Sequence, residues 1–409
     1  IDVSWTGAWD ATSGVYGYSY DWTQSPATLP DTNVDSTSPS TTSPPLGTGS
    51  DWYLHVRTRD VAGNWAPGSY HVGPFYIDVS PPTTLADVWA VLEGVGWRDV
   101  NITWTFATDL ESGVERYDVY YGTTYDSTGT SYVLLGSTPA DTDFFVHANG
   151  GEGDSSFYFY QVRAVDFANN SAPYSAQAGK YVKNLMPGWK LVSIPLEQKD
   201  DSVDAVLRTL SFDTARYYYA GSWKSYSTQK NYCTLEQIGT NMGIWVEVVS
   251  RSNLTVAGRV PTTTLVNLAK GWNLVGFPSF DTDYTIADLK SDSGAIRVEI
   301  FNAFSPPYFL RVANDIETMT AGNGYWIEAS ASGTWTVTNR AENPEDPKDS
   351  AGNEGTKSLP PENQGASTSE PDPAQVAGLQ AAQQIDILSL LALALVSLIA
   401  PMGTVFRRH

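Results

Sequence analysis

Two internal duplications constrain this chain more than any other feature. IDVSWTGAWDATSGVYGY (1–18) returns as VNITWTFATDLESGVERY (100–117), at an offset of 99. Trp5 aligns with Trp104, Asp10 with Asp109, Ser13–Gly14–Val15 with Ser112–Gly113–Val114, and Tyr18 with Tyr117. Further on, WYLHVRTRDVAGNWAP (52–67) aligns with YFYQVRAVDFANNSAP (158–173), the second copy being seven residues longer between the matched blocks. A repeat of this length is a whole domain per copy and not a solenoid turn. The second duplication pairs GWKLVSIP (188–195) with GWNLVGFP (271–278) and LEQIGTNMGIWVEV (235–248) with IETMTAGNGYWIEA (316–329). LTV at 254–256 then falls opposite WTV at 335–337.

Each block alternates at the period of a half-buried strand. Val100, Ile102, Trp104 and Phe106 are expected on one face, with Asn101, Thr103 and Thr105 on the other. Trp52, Leu54, Val56 and Thr58 repeat the pattern, as do Tyr158, Tyr160, Val162 and Ala164. Between the blocks lies turn chemistry: Asp-x-x-Ser-Gly, Gly150–Gly151 and Ala62–Gly63–Asn64. Short strands spread over domain-sized copies imply two-sheet sandwiches. In the second duplication, SVDAVLRTL and TIADLKSD have the pattern of one or two helical turns, followed by Tyr-rich strands.

The strand with an inward Trp (Trp5, Trp104) and the Tyr-x-apolar-x-Val-x-Ala strand (Tyr158, Tyr160, Val162, Ala164) resemble the fibronectin type III family over 1–183, in two copies. The first copy departs from the pattern at Trp52, where the family has tyrosine, and lacks the strand that would precede Ile1. The chain opens without Met inside a strand pattern and reads as a fragment or processed form. The Asp-x-Ala-Gly-Asn turns look like those of prokaryotic surface proteins carrying such domains. The Gly-Trp-Asn-Leu-Val … Gly-Tyr-Trp-Ile pattern resembles a repeat of archaeal and bacterial surface proteins, which implies no chemical activity.

The C-terminal end sets the expected topology. Residues 387–406 carry no charge and, as a helix, match the hydrocarbon thickness of a bilayer. Arg407, Arg408 and His409 follow, so the tail is expected inside and everything upstream outside. Residues 341–384 hold eight acids, two lysines and no aromatic residue, the composition of a disordered stalk. Across the whole chain 45 acidic residues outnumber 24 basic ones, for a net charge of −21. That field repels a phosphate backbone, so nucleic acid is excluded as a partner. A single cysteine, Cys233, excludes an internal disulfide framework and a thiolate zinc site, and it is expected to be a buried thiol.

No catalytic constellation stands out. His55, His71, His147 and His409 fall on separate elements, and no His-Glu-x-x-His or Gly-x-Ser-x-Gly motif occurs. His55 is expected on the outer face of its strand. The most site-like residues are Trp245 with Glu247 and Trp326 with Glu328, each pair on one strand face. Two copies could form a sugar-stacking groove or an acid pair, whereas duplication of a packing Trp and a rim Glu explains them without a ligand. The turns Asp60–Asn64 and Asp166–Asn170 could hold calcium with help from Asp10 or Asp109, or they could be hairpin turns bonding their own backbone. Asn101, Asn169 and Asn253 head N-glycosylation tripeptides, and Asn101 and Asn169 are expected to be sterically open.

The fold expected is mainly β: tandem fibronectin III-like β-sandwiches (1–79 and 80–183), a duplicated β-rich module (184–262 and 263–340), a disordered stalk (341–384), one transmembrane helix (385–406) and a cytoplasmic tail (407–409). The linkers near Ser80–Pro81–Pro82 and Val182–Lys183–Asn184 are expected to be exposed. The function expected is a membrane-anchored surface protein in non-enzymatic adhesion, envelope structure or display, touching surface proteins or glycans and needing no cofactor apart from possible calcium. The alternatives are the accessory and anchoring region of an exported hydrolase, a protease or glycosidase, whose catalytic domain precedes residue 1, and a carbohydrate-binding module.

Overall fold

The structure is a computed structural model that describes residues 1–150, 157–229, 233–304 and 309–339. The stalk, the apolar segment and the basic tail at 341–409 lie outside the described residues. Among those described, no helix is long and apolar enough to cross a membrane.

The first copy folds as β1 (Asp2–Ser4), β2 (Val15–Thr23), β3 (Ser40–Thr42), β4 (Gly49–Asp60) and β5 (Tyr70–Ile77). A two-stranded sheet, β1–β3, faces a three-stranded one, β2–β4–β5. Its core is small: Tyr18, Trp22, Leu54 and Val56, with Trp5 half-buried against them and edge-on to Tyr18 at 5.1 Å.

The second copy adds strands on both sides. It runs β6 (Trp89–Glu93), β7 (Asp99–Thr103), β8 (Val114–Gly122), β9 (Val133–Pro139), β10 (Phe144–His147), β11 (Phe157–Asp166) and β12 (Ala178–Leu185). The sheet β10–β7–β6 covers β12–β11–β8–β9, as expected of a fibronectin III-like sandwich. Val100, Ile102, Trp104, Tyr117, Val119, Tyr160, Val162 and Ala164 fill the space between them, with Trp104 against Tyr117 at 5.4 Å. Phe106 departs from the expected alternation and is 49% exposed, because β7 ends at Thr103 and the chain leaves the sheet after Trp104.

The module begins earlier than its repeated motifs suggest. Its first unit comprises β13 (Gly188–Ser193), α1 (Val203–Leu207), β14 (Phe212–Tyr219), β15 (Ser222–Ser227), β16 (Gly243–Val248) and β17 (Ser252–Arg259). The second comprises β18 (Thr263–Leu268), β19 (Gly271–Gly276), α2 (Ile286–Ser293), β20 (Ala295–Phe301), β21 (Leu310–Val312), β22 (Gly324–Ala329) and β23 (Gly333–Thr338). The four-stranded sheets have the same order, β13–β16–β14–β15 and β19–β22–β20–β21. Both helices lie where the short periodic patterns fall; Ser202 caps the first, and a Thr285–Asp288 capping box opens the second. In the second unit the first strand pairs with the last, β18 with β23. In the first unit the strand doing this work is β12, which pairs with β17 from Ala178↔Arg259 to Leu185↔Ser252.

One strand therefore serves both the second sandwich and the module. The expected linker at Val182–Lys183–Asn184 lies inside β12, and the sheet β17–β12–β11–β8–β9 runs unbroken through the expected 183/184 boundary. Side-chain alternation sends successive residues to two different cores. Ala178 packs in the sandwich core, while Tyr181 and Leu185 pack in the module core with Ile194, Leu207, Ile244 and Val256. On β11, Tyr160 and Val162 face the sandwich, and Phe157 and Phe159 face the module. A sheet covered on both faces needs apolar residues at consecutive positions, which is the physical reason for the run Phe157–Tyr158–Phe159–Tyr160. Arg259 ties the arrangement to β6, with its guanidinium 4.2 Å above the Trp89 ring and 3.0 Å from the Asp87 carboxylate.

Candidate functional site

The duplicated tryptophans lie where the two units of the module face each other. Leu191, Trp245 and Leu274 are buried in this contact, with Trp189, Tyr217, Tyr218, Phe301 and Trp326 packed around them. The Trp245 ring is covered by Phe301 at 6.0 Å. Trp326 packs on Tyr218 at 5.2 Å, Trp223 at 5.8 Å and Trp272 at 6.2 Å. Glu247 stands opposite Trp189, and Glu328 opposite Trp272. Each of these outer tryptophans also carries an arginine over its face, Arg216 on Trp189 at 5.2 Å and Arg297 on Trp272 at 5.7 Å. The motif copied by duplication is thus a packing motif: with Trp245 only 9% exposed, its ring cannot stack on a sugar. At the rim Trp223, which has no aligned partner in the second copy, is 52% exposed.

Close approach of the two units rests on glycine. A Cβ at Gly243 would lie 2.5 Å from the Val275 carbonyl oxygen, and one at the duplicated Gly324 would lie 2.7 Å from Leu191. That proximity allows the bridges Val192↔Asn323 and Met242↔Val275 between the units. Beside it opens a groove of about 580 Å³ lined by Lys183, Lys190, Phe301, Glu317, Asn323 and Tyr325, among others. The Lys183 ammonium donates to the Gly322 carbonyl at 3.0 Å and to the Asn323 side-chain oxygen. Burial pulls its pKa down to about 8.

The acidic turns meet at the joint between the two sandwiches. Asp78, Asp109 and Asp166 offer carboxylate oxygens within 4.8 Å of one another. Asp109 accepts from the backbone of Ser112 at 2.9 Å and Gly113 at 2.7 Å. Asp166, wholly buried, accepts from Asn170 N at 2.7 Å and Asn170 Nδ2 at 2.9 Å. Asp78 comes from the connecting segment and accepts from Ser80 N at 2.9 Å and Ser112 N at 3.2 Å. Burial acts to raise the Asp78 pKa but is outweighed by the Ser112 and Ser80 hydrogen bonds, so the net shift is downward. The sequence pairs Asp109 with the Asp166 turn; Asp78 is found only through the fold. The first copy repeats the construction with Asp10, held by Thr12, Ser13 and Gly14, and with Asp60, held by Asn64. Three carboxylates make a hard-oxygen donor set of the kind calcium takes, short of its six to eight oxygens without carbonyls or water. Several of these oxygens already accept backbone N–H groups, so the turns also work as hydrogen-bonded joints without an ion.

The remaining singled-out residues separate. Asn169 is exposed in its turn, and Asn253 is exposed on β17. Asn101 is not open as expected: it is half-buried on the central strand of its sheet, its Nδ2 donates to Glu93 Oε2 at 3.1 Å, and its Oδ1 is enclosed. Cys233 is half-buried, with its sulfur 3.9 Å from the Ser227 carbonyl. His55 reverses its expected placement: it is fully buried and contacts His71 on the neighbouring strand.

No protein-family model matches the chain, and no curated protein matches it. Among solved structures, an Fn3-like protein from Clostridium thermocellum is 23% identical, covers 24% of this chain and 86% of its own, and has a TM-score of 0.18. The Clostridium perfringens spore cortex lytic enzyme SleM is 17% identical over 26% of this chain and 31% of its own, with a TM-score of 0.19. The FN1–FN3 domains of chicken CNTN1 are 15% identical over 63% of this chain and 88% of their own, with a TM-score of 0.22.

Proposed function

We propose that the chain is a membrane-anchored surface protein whose exposed β-domains act as a stiff, non-enzymatic spacer in adhesion, envelope structure or display. The observation that carries this reading is the shared strand β12. A joint made of a continuous sheet with an apolar core on each face resists bending, unlike a peptide linker between separately cored domains. The apolar segment 387–406 and its basic tail supply the anchor in the same reading. Treating intact expressing cells with an external protease tests it. The β-domains should be shed, leaving a short membrane-bound C-terminal remnant. Intact protein in the soluble fraction after gentle lysis would overturn the anchor and the display role together.

Carbohydrate binding is the second reading, and it rests on exposed Trp223 beside Trp326 and not on buried Trp245. A glycan array with wild type and Trp223→Ala separates the two: binding lost in the variant supports a sugar site, and no binding in either supports a spacer.

A further inference from the structure

The first sandwich brings two imidazoles together. His55 on β4 and His71 on β5 are directly opposite each other in register, and their Nδ1 atoms lie 2.6 Å apart. Asp21 on β2 is opposite His55 on its other side, so the three form one row, Asp21–His55–His71, across three strands. Directly opposed side chains project from the same face of a sheet. His55 is fully buried and His71 is exposed on the edge strand, so the pair opens to solvent from one side.

The surroundings offer a place for the His55 ring proton on Nε2. Its Nε2 lies 3.0 Å from Thr23 Oγ1. That hydroxyl accepts from Ser25 N at 3.2 Å and can pass its single proton to Thr28 Oγ1 at 2.8 Å or to the Ser25 carbonyl at 3.3 Å. Thr23 Oγ1 is then free to accept from His55 Nε2–H, which leaves a lone pair on Nδ1 facing His71. This is the outer hydrogen bond by which proteins fix the tautomer and orientation of a metal-binding imidazole. His71 then supplies the proton of the close contact, and solvent at its exposed ring can move that proton from Nδ1 to Nε2, which leaves both Nδ1 lone pairs for a metal and both rings neutral.

We propose that His55 and His71 form a two-imidazole site for a divalent transition-metal ion that replaces the shared proton, with the Asp21 carboxylate on the next strand of the same row. Metal–nitrogen bonds of about 2.0–2.1 Å at angles between square and tetrahedral set the two nitrogens about 2.9–3.4 Å apart. The observed separation is shorter by under about 1 Å on that scale, an opening that rotation of the exposed His71 ring supplies. With imidazole donors, copper(II) should bind more tightly than nickel(II) or zinc(II). Calcium, which prefers oxygen, should not compete.

Titrating the full chain with copper(II), in excess magnesium and calcium to occupy the acidic surface, tests the site. One equivalent should bind with an electron paramagnetic resonance spectrum showing two equatorial imidazole nitrogens. His71→Asn, a change at an exposed edge, should weaken binding at least tenfold, about 1.4 kcal/mol. His147→Gln should leave it unchanged. Equal affinity in wild type and His71→Asn, or a spectrum with one nitrogen, would overturn the proposal, and the spectrum decides the matter even if the variant folds poorly.

Discussion

The two joints of the described region are made of opposite materials. Between the sandwiches, the chain crosses at Asp78–Pro82 through carboxylates, a serine and an asparagine; Asn170 Nδ2 reaches the Asp78 and Ser80 carbonyls at 3.2 and 3.4 Å. Between the second sandwich and the module there is no connecting segment, only β12, with an apolar core on each face. Hydrogen bonds to water compete with the first kind of joint, so its net strength is modest. Apolar surface removed from water gives the second its strength. Proximity in sequence therefore says little about mechanical coupling; what matters is whether a strand is shared.

Four measurements can break or sharpen this contrast. Limited proteolysis has the largest expected effect: within the β-domains, the first cut should fall near residues 78–84 and release residues 1–79, while the sandwich–module joint at 178–185 stays intact. A first cut within 178–185 would dissolve the contrast. Next, Phe159→Ala removes a buried ring that β11 lends to the module core, and it should cost about 3–5 kcal/mol. Calorimetry should show the second sandwich and the first unit destabilised in one transition; a change confined to one of them would mean the joint is not cooperative.

The third concerns Lys180, on the sandwich face of β12. It is wholly buried, its ammonium lies 4.7 Å above the Tyr158 ring, and no hydrogen-bond partner for it stands among the described residues. Burial lowers its pKa from 10.5 to about 8. An unfolded chain takes up that proton below pH 10.5 more readily than the folded one does, so this residue costs stability at neutral pH, and the cost shrinks as pH rises from about 8 toward 10.5. Lys180→Met should therefore stabilise by about 1–3 kcal/mol at pH 7, with a smaller gain near pH 10. Destabilisation at pH 7 would show that the amine has a working partner. The smallest effect is expected of Asp78→Ala, about 1–2 kcal/mol from two lost backbone hydrogen bonds, with melting of the module unchanged. Calcium sharpens the same test. A rise in melting temperature in wild type but not in the variant would assign the three carboxylates to an ion; no rise in either would leave them a hydrogen-bonded joint.

Much of the fold is legible in the residues because duplication shows each pattern twice. The alternation at 100–104 and 158–164, the inward Trp104 and the two short helices need only local periodicity. Alternation also misleads where a strand is covered on both faces: His55 sits at an outward position of its pattern, yet is buried with His71 beside it. The acid cluster was half legible, since the two turns are written in Asp-x-x-Ser-Gly and Asp-x-Ala-Asn-Asn, while Asp78 belongs to neither.

The sequence by itself determined that the chain is β-rich and that its strand motifs come in copied pairs, because period and repetition are properties of the chain alone. Only the tertiary structure decided where one domain stops. β12 matches the strand that completes a sandwich and equally the strand that opens a module unit, and nothing local distinguishes the two roles. Pairing on both edges and packing on both faces settled it, since a sheet edge left open and an apolar face left bare are costs that only the assembled fold removes.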